Sequence, residues 1–276
     1  MEQVDGPTLL LTVSWVAQML LAIDAGNTYI TFAVYDGDRL AADWRVNSDA
    51  RRTADEYAVL IAGLAERASL SLSQLTTVSI GSVVPRAVAA LVEFSRRYLG
   101  VEDPFLLTPE VDLGIRICYE PRTDVGADRI ANAVAAHALY SGPVIVVDLG
   151  TAITFDAVGE NGDYLGGAIA PGVEVSLEAL ISHAAQLRRV ALVAPPKAIG
   201  TTTVTSVQSG MIYGFAGQVD GVVLRLQEEM GGGAHVVATG GLAELIAPHS
   251  RSIREVHPTL TLEGLRLAYE RCRGKG

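Results

Sequence analysis

The sequence predicts an α/β protein built from two related halves, each opened by a β-hairpin. Three observations predict it. An apolar strand that ends in Asp-x-Gly and turns into a second strand occurs twice, at 20–35 and 144–158, with Asp24 and Asp148 lying 124 residues apart. Helical and extended patterns alternate through the rest of each half, as layered sheet and helix require. The 276 residues are 49% apolar but only 6% aromatic, which describes an aliphatic core and excludes a disordered or collagen-like chain.

Residues 1–18 come first. Glu2 and Asp5 stand where a secretory signal would be cationic. The apolar stretch 9–13 is far shorter than the ~20 residues that span a bilayer. The segment reads as an extension outside the fold, with Met19 opening the first strand; an added strand or surface helix is the alternative. The first hairpin turns again at Asp36-Gly37-Asp38 into an extended segment, 39–46. Tyr57, Leu60, Ile61 and Leu64 give helical spacing over 54–68. A buried strand at 77–82 and a helix at 86–99 follow. Residues 127–139 read as a helix, and the boundary between halves falls between Glu120 and Ser141. The second half repeats the hairpin, turns at Asn161-Gly162-Asp163 and extends over 164–169. A glycine-containing helical region (206–229), a strand (236–239) running into Gly240-Gly241, and a helix (261–271) complete it. With no low-complexity linker, the halves are expected to meet at a cleft.

The net charge of −10 argues against a nucleic-acid groove, which needs clustered Lys and Arg. Cys118 and Cys272 form no C-x-x-C pair, and the five histidines are scattered, so neither a zinc site nor a disulfide framework is indicated. A reduced, cytoplasmic setting without membrane attachment is the expectation.

The two Asp-x-Gly turns carry the chemistry. A tight glycine turn lets backbone N–H groups approach phosphate oxygens. Thr28 and Thr151 add hydroxyls, and Asp24 and Asp148 add charge that a cation must separate from phosphate. Paired turns of this kind point to a nucleoside triphosphate held with a metal ion. The G-x-x-x-x-G-K-[ST] loop is absent, so the site is not of P-loop type.

Four stretches carry a resemblance: Asp24-Ala-Gly-Asn-Thr28, Val125-Gly-Ala-Asp-Arg129, Asp148-Leu-Gly-Thr-Ala152 and Gly166-Gly-Ala-Ile-Ala-Pro-Gly172. Gly200-Thr-Thr-Thr203 with Gln208-Ser-Gly210 adds a fifth. In this combination the chain resembles type III pantothenate kinases, within the superfamily of actin, sugar kinases and ATP-driven chaperones. The resemblance implies two duplicated ribonuclease H-like (actin-like ATPase) domains, 19–130 and 131–276, each a mixed β-sheet flanked by helices, with the active site in the interdomain cleft. It implies ATP-dependent phosphorylation of pantothenate to 4′-phosphopantothenate, the first step of coenzyme A biosynthesis, by a homodimer.

Carried over residue by residue, the resemblance makes Asp128 the general base. It assigns Tyr119, Gly126, Ala127, Asp128, Arg129 and Thr203 to pantothenate. It assigns Asp24, Ala25, Gly26, Asn27, Thr28, Tyr29, Ile30, Thr31 and Thr151 to ATP. Asp148 becomes the ligand of a monovalent cation, K⁺ or NH4⁺, and Asp24 helps hold Mg²⁺ through water. Read alone, Asp128 also suits a helix start, where the backbone dipole favours a carboxylate; Tyr119 suits a strand, and Thr203 a helix N-cap. The chain departs from the family at Glu120-Pro121, where Asn-Pro is frequent, and at Leu187-Arg188, where Leu-Pro is frequent. Two rival functions remain at this level: a non-catalytic regulator on the same ATP-binding fold, and a kinase for another small alcohol.

Overall fold

A computed structural model describes residues 18–184 and 189–273. The expected extension, apart from Gln18, and the Leu187-Arg188 departure lie outside the described residues. The chain runs β1 (Met19–Ala25), β2 (Tyr29–Asp36), β3 (Arg39–Asn47), α1 (Ala54–Arg67), β4 (Leu75–Ser82), α2 (Pro85–Leu99), β5 (Phe105–Leu107) and α3 (Ala127–Leu139). It continues with β6 (Val144–Leu149), β7 (Ala152–Val158), β8 (Tyr164–Pro171), α4 (Val173–His183), α5 (Thr203–Glu229), β9 (His235–Thr239), α6 (Ala243–Ile246), β10 (Glu255–Val256) and α7 (Leu260–Arg273).

The strands form two five-stranded sheets of the same order, β3-β2-β1-β4-β5 and β8-β7-β6-β9-β10. In each, the first three strands are antiparallel, and the fourth and fifth run parallel to the first. The repeat in the sequence is therefore a repeat of topology. Gly37 (φ +63°) and Gly162 (φ +82°) make the matching hairpin turns, where left-handed backbone excludes most side chains.

Local signals start the helices where the sequence places them. Thr53 and Glu56 form a reciprocal capping box on α1. Pro85 opens α2, and Gly100 (φ +69°) ends it in a left-handed cap. α5 begins with Thr202 as N-cap, paired with Thr205, so Thr203 is the first helical residue and not the cap. α4 is the one long element that the sequence pattern leaves unread: Pro171-Gly172 looks like a turn, yet Gly172 is the N-cap of a helix. His183 is the last residue of that helix, with Nδ1 2.9 Å from the Ala179 carbonyl oxygen.

Side-chain alternation decides what faces what. Along β1, Leu21, Ile23 and Ala25 pack outward under α1 and α2, while Leu20 and Ala22 face α3 and α7. Along β6, Ile145, Val147 and Leu149 pack under α5 and α6, while Val144 and Val146 face the α3–α7 pair. The next inward position is Asp24 on one strand and Asp148 on the other. α3 and α7 thus fill the space between the sheets up to the level at which the aspartates begin, and the cleft opens there.

The two central helices cross closely: a Cβ on Gly264 of α7 would collide with the Ala131 backbone of α3. Overpacking a buried contact typically costs about 1–3 kcal/mol. Gly264→Ala is expected to destabilise the protein by at least about that amount, read as a lower urea midpoint at unchanged slope.

Candidate active site

Two turns face each other across the cleft. The β1–β2 turn carries Gly26, Asn27 and Thr28; the β6–β7 turn carries Gly150 and Thr151 and is one residue shorter. Their hydroxyls meet, Thr28 Oγ1 to Thr151 Oγ1, at 2.7 Å. The Gly26 amide donates to the Tyr29 carbonyl at 3.0 Å and the Gly150 amide to the Ala152 carbonyl at 3.0 Å, so these two close the turns themselves. Among the described residues, the amides of Asn27, Thr28 and Thr151 have no protein acceptor and are the ones a ligand can take. Ala25 and Ile30 are fully buried in the outer core, so their side chains do not line the cleft. Gly172 packs against the Gly150 and Thr151 carbonyls, where no Cβ fits.

Asp24 and Asp148 sit at the strand ends beside these turns. Thr31 Oγ1 donates to Asp24 Oδ2 at 3.5 Å, and Asn132 Nδ2 to Asp148 Oδ2 at 3.4 Å. Thr261 in turn donates to Asn132 Oδ1 at 2.8 Å. Burial, then Asp128, then Asp148 push the Asp24 carboxyl up to about 8. Burial, then Asp128, push Asp148 up to about 7.

Asp128 lies in the first turn of α3, after the N-cap Gly126, and accepts from the Arg129 amide at 2.8 Å. A Cβ on Gly126 would collide with this carboxylate, so the glycine makes room for it. The three carboxylates therefore converge on one cleft. Among the described residues no three His, Cys, Asp or Glu side chains form a protein-only metal cage. Single carboxylates that raise each other's proton affinity fit cations completed by phosphate and water.

Arg129 is buried on the other side of Asp128. Its Nε donates to Asp156 Oδ1 at 2.6 Å, Tyr164 Oη donates to the same oxygen at 2.9 Å, and Thr154 Oγ1 to Oδ2 at 3.2 Å. Burial raises the Asp156 carboxyl to about 6, against the pull of Arg129. The guanidinium lies 5.8 Å from the Tyr119 ring centroid and 5.6 Å from that of Tyr164. Its Nη2 is buried without a partner, an arrangement that favours an added acceptor. Asp156, Tyr164 and Asn132 escape the motif reading because only strand register and helix packing bring them here. Their one sequence signal is that Asp156 is a charge inside an otherwise apolar strand.

Tyr119 thus lies beside Arg129, and Asp128 precedes Arg129 at the start of α3. Thr203 does not join them. It lines a separate open depression of about 720 Å³ with Leu180, Gly200 and Ser206.

The family model described as Type III pantothenate kinase matches residues 20–225. The chain belongs to the type III pantothenate kinase family. A relative named Type III pantothenate kinase, from Moorella thermoacetica, is 52% identical over 253 residues, covering 92% of this chain and 99% of the relative. Among solved structures, a Campylobacter jejuni protein described as a Baf family transcriptional activator superposes with TM-score 0.57 at 19% identity, over 92% of this chain and 99% of that one. Component A of the (R)-2-hydroxyglutaryl-CoA dehydratase of Acidaminococcus fermentans gives 0.53 at 14%, over 92% and 98%. At these identities the structures speak for the fold alone, the duplicated actin-like arrangement of two mixed sheets flanked by helices.

In the unfolded chain a carboxyl titrates near 3.8, so folded Asp24 and Asp148 keep their protons to higher pH. The stability they contribute is complete below pH ~4 and is lost as pH rises through about 7 to 8. The melting temperature of the nucleotide-free protein, measured without divalent cations, is therefore expected to fall more steeply from about pH 5 to 8 in the wild type than in Asp24→Asn. Equal slopes in the two proteins would remove the proposed carboxylate cluster.

Proposed function

We propose that this protein transfers the γ-phosphoryl group of ATP to the primary hydroxyl of pantothenate, giving 4′-phosphopantothenate and ADP, the first committed chemistry toward coenzyme A. The observation that carries this reading is the convergence of the two Asp-x-Gly turns and Asp128 on one cleft, within a chain of this family. ATP lies with its phosphates between the turns, against the amides of Asn27, Thr28 and Thr151 and the two facing hydroxyls. Asp24, Gly26 to Tyr29, Thr31 and Thr151 form its contact surface, with Ala25 and Ile30 anchoring the two strands beneath it.

Pantothenate lies along Tyr119 and the Gly126–Arg129 segment. Its carboxylate is the natural partner for the unpaired Nη2 of Arg129, which Asp156 holds in place. The hydroxyl then reaches Asp128, which accepts its proton as the oxygen attacks the γ-phosphorus in line with the departing ADP oxygen. Asp24 would hold Mg²⁺ through water, and Asp148 would hold a monovalent cation, K⁺ or NH4⁺; bound there, such ions would supply positive charge against the charge that develops on the phosphoryl oxygens. Turn amides oriented before the reaction stabilise the same charge without rearranging.

A homodimer fits features of the second half. Gly210, Gly214 and Gly217 form a stripe on α5 where an added Cβ would meet nothing within 4 Å. Leu224 (58% exposed) and Val204 (49%) lie on the same helix. Pairing of two copies through α5 would cover these residues and bring Thr203 of a second copy toward the pantothenate pocket. No helix among the described residues is long and apolar enough to cross a membrane, and the protein is proposed to act in the cytoplasm. The regulator reading has less support, since a regulator needs neither Asp128 nor the unpaired Arg129 nitrogen.

The direct test is mass-spectrometric detection of 4′-phosphopantothenate from ATP, Mg²⁺, K⁺ and pantothenate. Asp128→Asn is expected to lower kcat by at least ~10²-fold with ATP affinity retained; full activity in that variant removes Asp128 as the base. Sedimentation velocity at micromolar concentration is expected to show a dimer, and a monomer there overturns the α5 interface.

A further inference from the structure

The wall of the nucleotide cleft carries a cation that none of the five motifs includes. Arg45, on β3, stands opposite Thr31 of β2, and Thr31 stands opposite Asp24 of β1. Opposed residues of a ladder share a face, so Arg45 lies on the inner face, in the row that ends at Asp24. Its neighbours Trp44 and Val46 pack outward instead.

The Arg45 guanidinium stacks over the Tyr29 ring, 5.2 Å from its centroid. It also crosses the cleft: a Cβ on Gly241, in the second half, would lie 2.6 Å from its Nη1. With Tyr29, Gly150, Thr151, Glu174 and Gly241 it lines a cavity of about 110 Å³, and it is the only cation in that lining. Among the described residues it has no carboxylate partner, whereas buried Arg129 and Arg266 are both paired.

The duplication supplies an internal control. The position equivalent to Arg45 in the second sheet is Ile169, which opposes Thr154 as Arg45 opposes Thr31. The fold accepts an apolar residue there, so the sheet itself does not demand a guanidinium. What the site lacks is positive charge, because Asp24, Asp128 and Asp148 crowd it with negative charge. A planar guanidinium held over an aromatic ring can present its fork to phosphate oxygens.

We propose that Arg45 binds the polyphosphate of the nucleotide from the first half, against the Gly150–Thr151 turn and Gly241 of the second, and so clamps the two halves on bound ATP. This rests on the ATP-dependent reading above and adds to it a specific residue.

The test is calorimetric binding of ATP and ADP, with Mg²⁺ present, to the wild type, Arg45→Ala and Arg45→Lys, combined with steady-state kinetics. Arg45→Ala is expected to weaken both nucleotides at least about tenfold, the scale of a lost charge-assisted hydrogen bond, with Arg45→Lys recovering part of the loss. KM for ATP rises accordingly, while KM for pantothenate stays within about twofold. An unchanged melting temperature in the nucleotide-free variants separates the effect from unfolding. Wild-type ATP affinity in Arg45→Ala, or a pantothenate KM that rises in step with that for ATP, overturns the clamp. Binding is read without turnover, so a wild type that binds ATP in an Arg45-dependent way yet forms no phosphopantothenate refutes the kinase reading and leaves the clamp in place.

Discussion

Three carboxylates share one cleft, and the rest of the site is organised by their repulsion. Asp24, Asp128 and Asp148 lie close enough that Asp128 raises the proton affinity of the other two. A site of this charge cannot take a triphosphate unless cations and oriented dipoles stand between the negative groups. The facing turns, their unpaired amides, the two threonine hydroxyls and Arg45 are the dipoles and charge that the chain itself supplies. These three carboxylates thus stand where a proton or an added positive charge relieves their repulsion.

The carboxylates are placed by the packing of two helices. α3 and α7 fill the space between the sheets, and they approach to backbone contact at Gly264 and Ala131. The inner faces of β1 and β6 are apolar for as long as these helices cover them. Where the cover stops, the next inward residue on each strand is an aspartate. α3 contributes twice, since the same helix begins with Asp128 and Arg129 and presents Asn132 to Asp148 one turn later. The link from Thr261 to Asn132 carries this connection to the last helix of the chain. A change in how α3 and α7 cross would therefore be felt at the cleft carboxylates before it was felt in the outer cores.

Much of the fold was legible because its signals are local. The Asp-x-Gly hairpins, the Gly37 and Gly162 turns and the Tyr57–Leu64 apolar spacing each act within a few residues. α4 was not legible, since Pro171-Gly172 reads as a turn until Gly172 is seen pressed against the Gly150 and Thr151 carbonyls. The two turns that face each other across the cleft were legible for the same reason as the hairpins. The surroundings of Asp128 were legible only in part. Arg129 appears in a motif, but its partner Asp156 lies 27 residues away on a strand, and only register places them 2.6 Å apart.

By itself the sequence determined the two repeated halves, the two Asp-x-Gly turns and the helix that follows Gly126, because backbone preference and apolar periodicity act over short spans. The tertiary structure decided which charges meet. It set Asp24 and Asp148 on facing inner surfaces and buried Arg129 on Asp156 between two tyrosine rings. It also carried Arg45 across the cleft to Gly241. Those outcomes depend on sheet register and on the α3–α7 crossing, which join residues well separated along the chain and leave no mark in any single stretch of sequence.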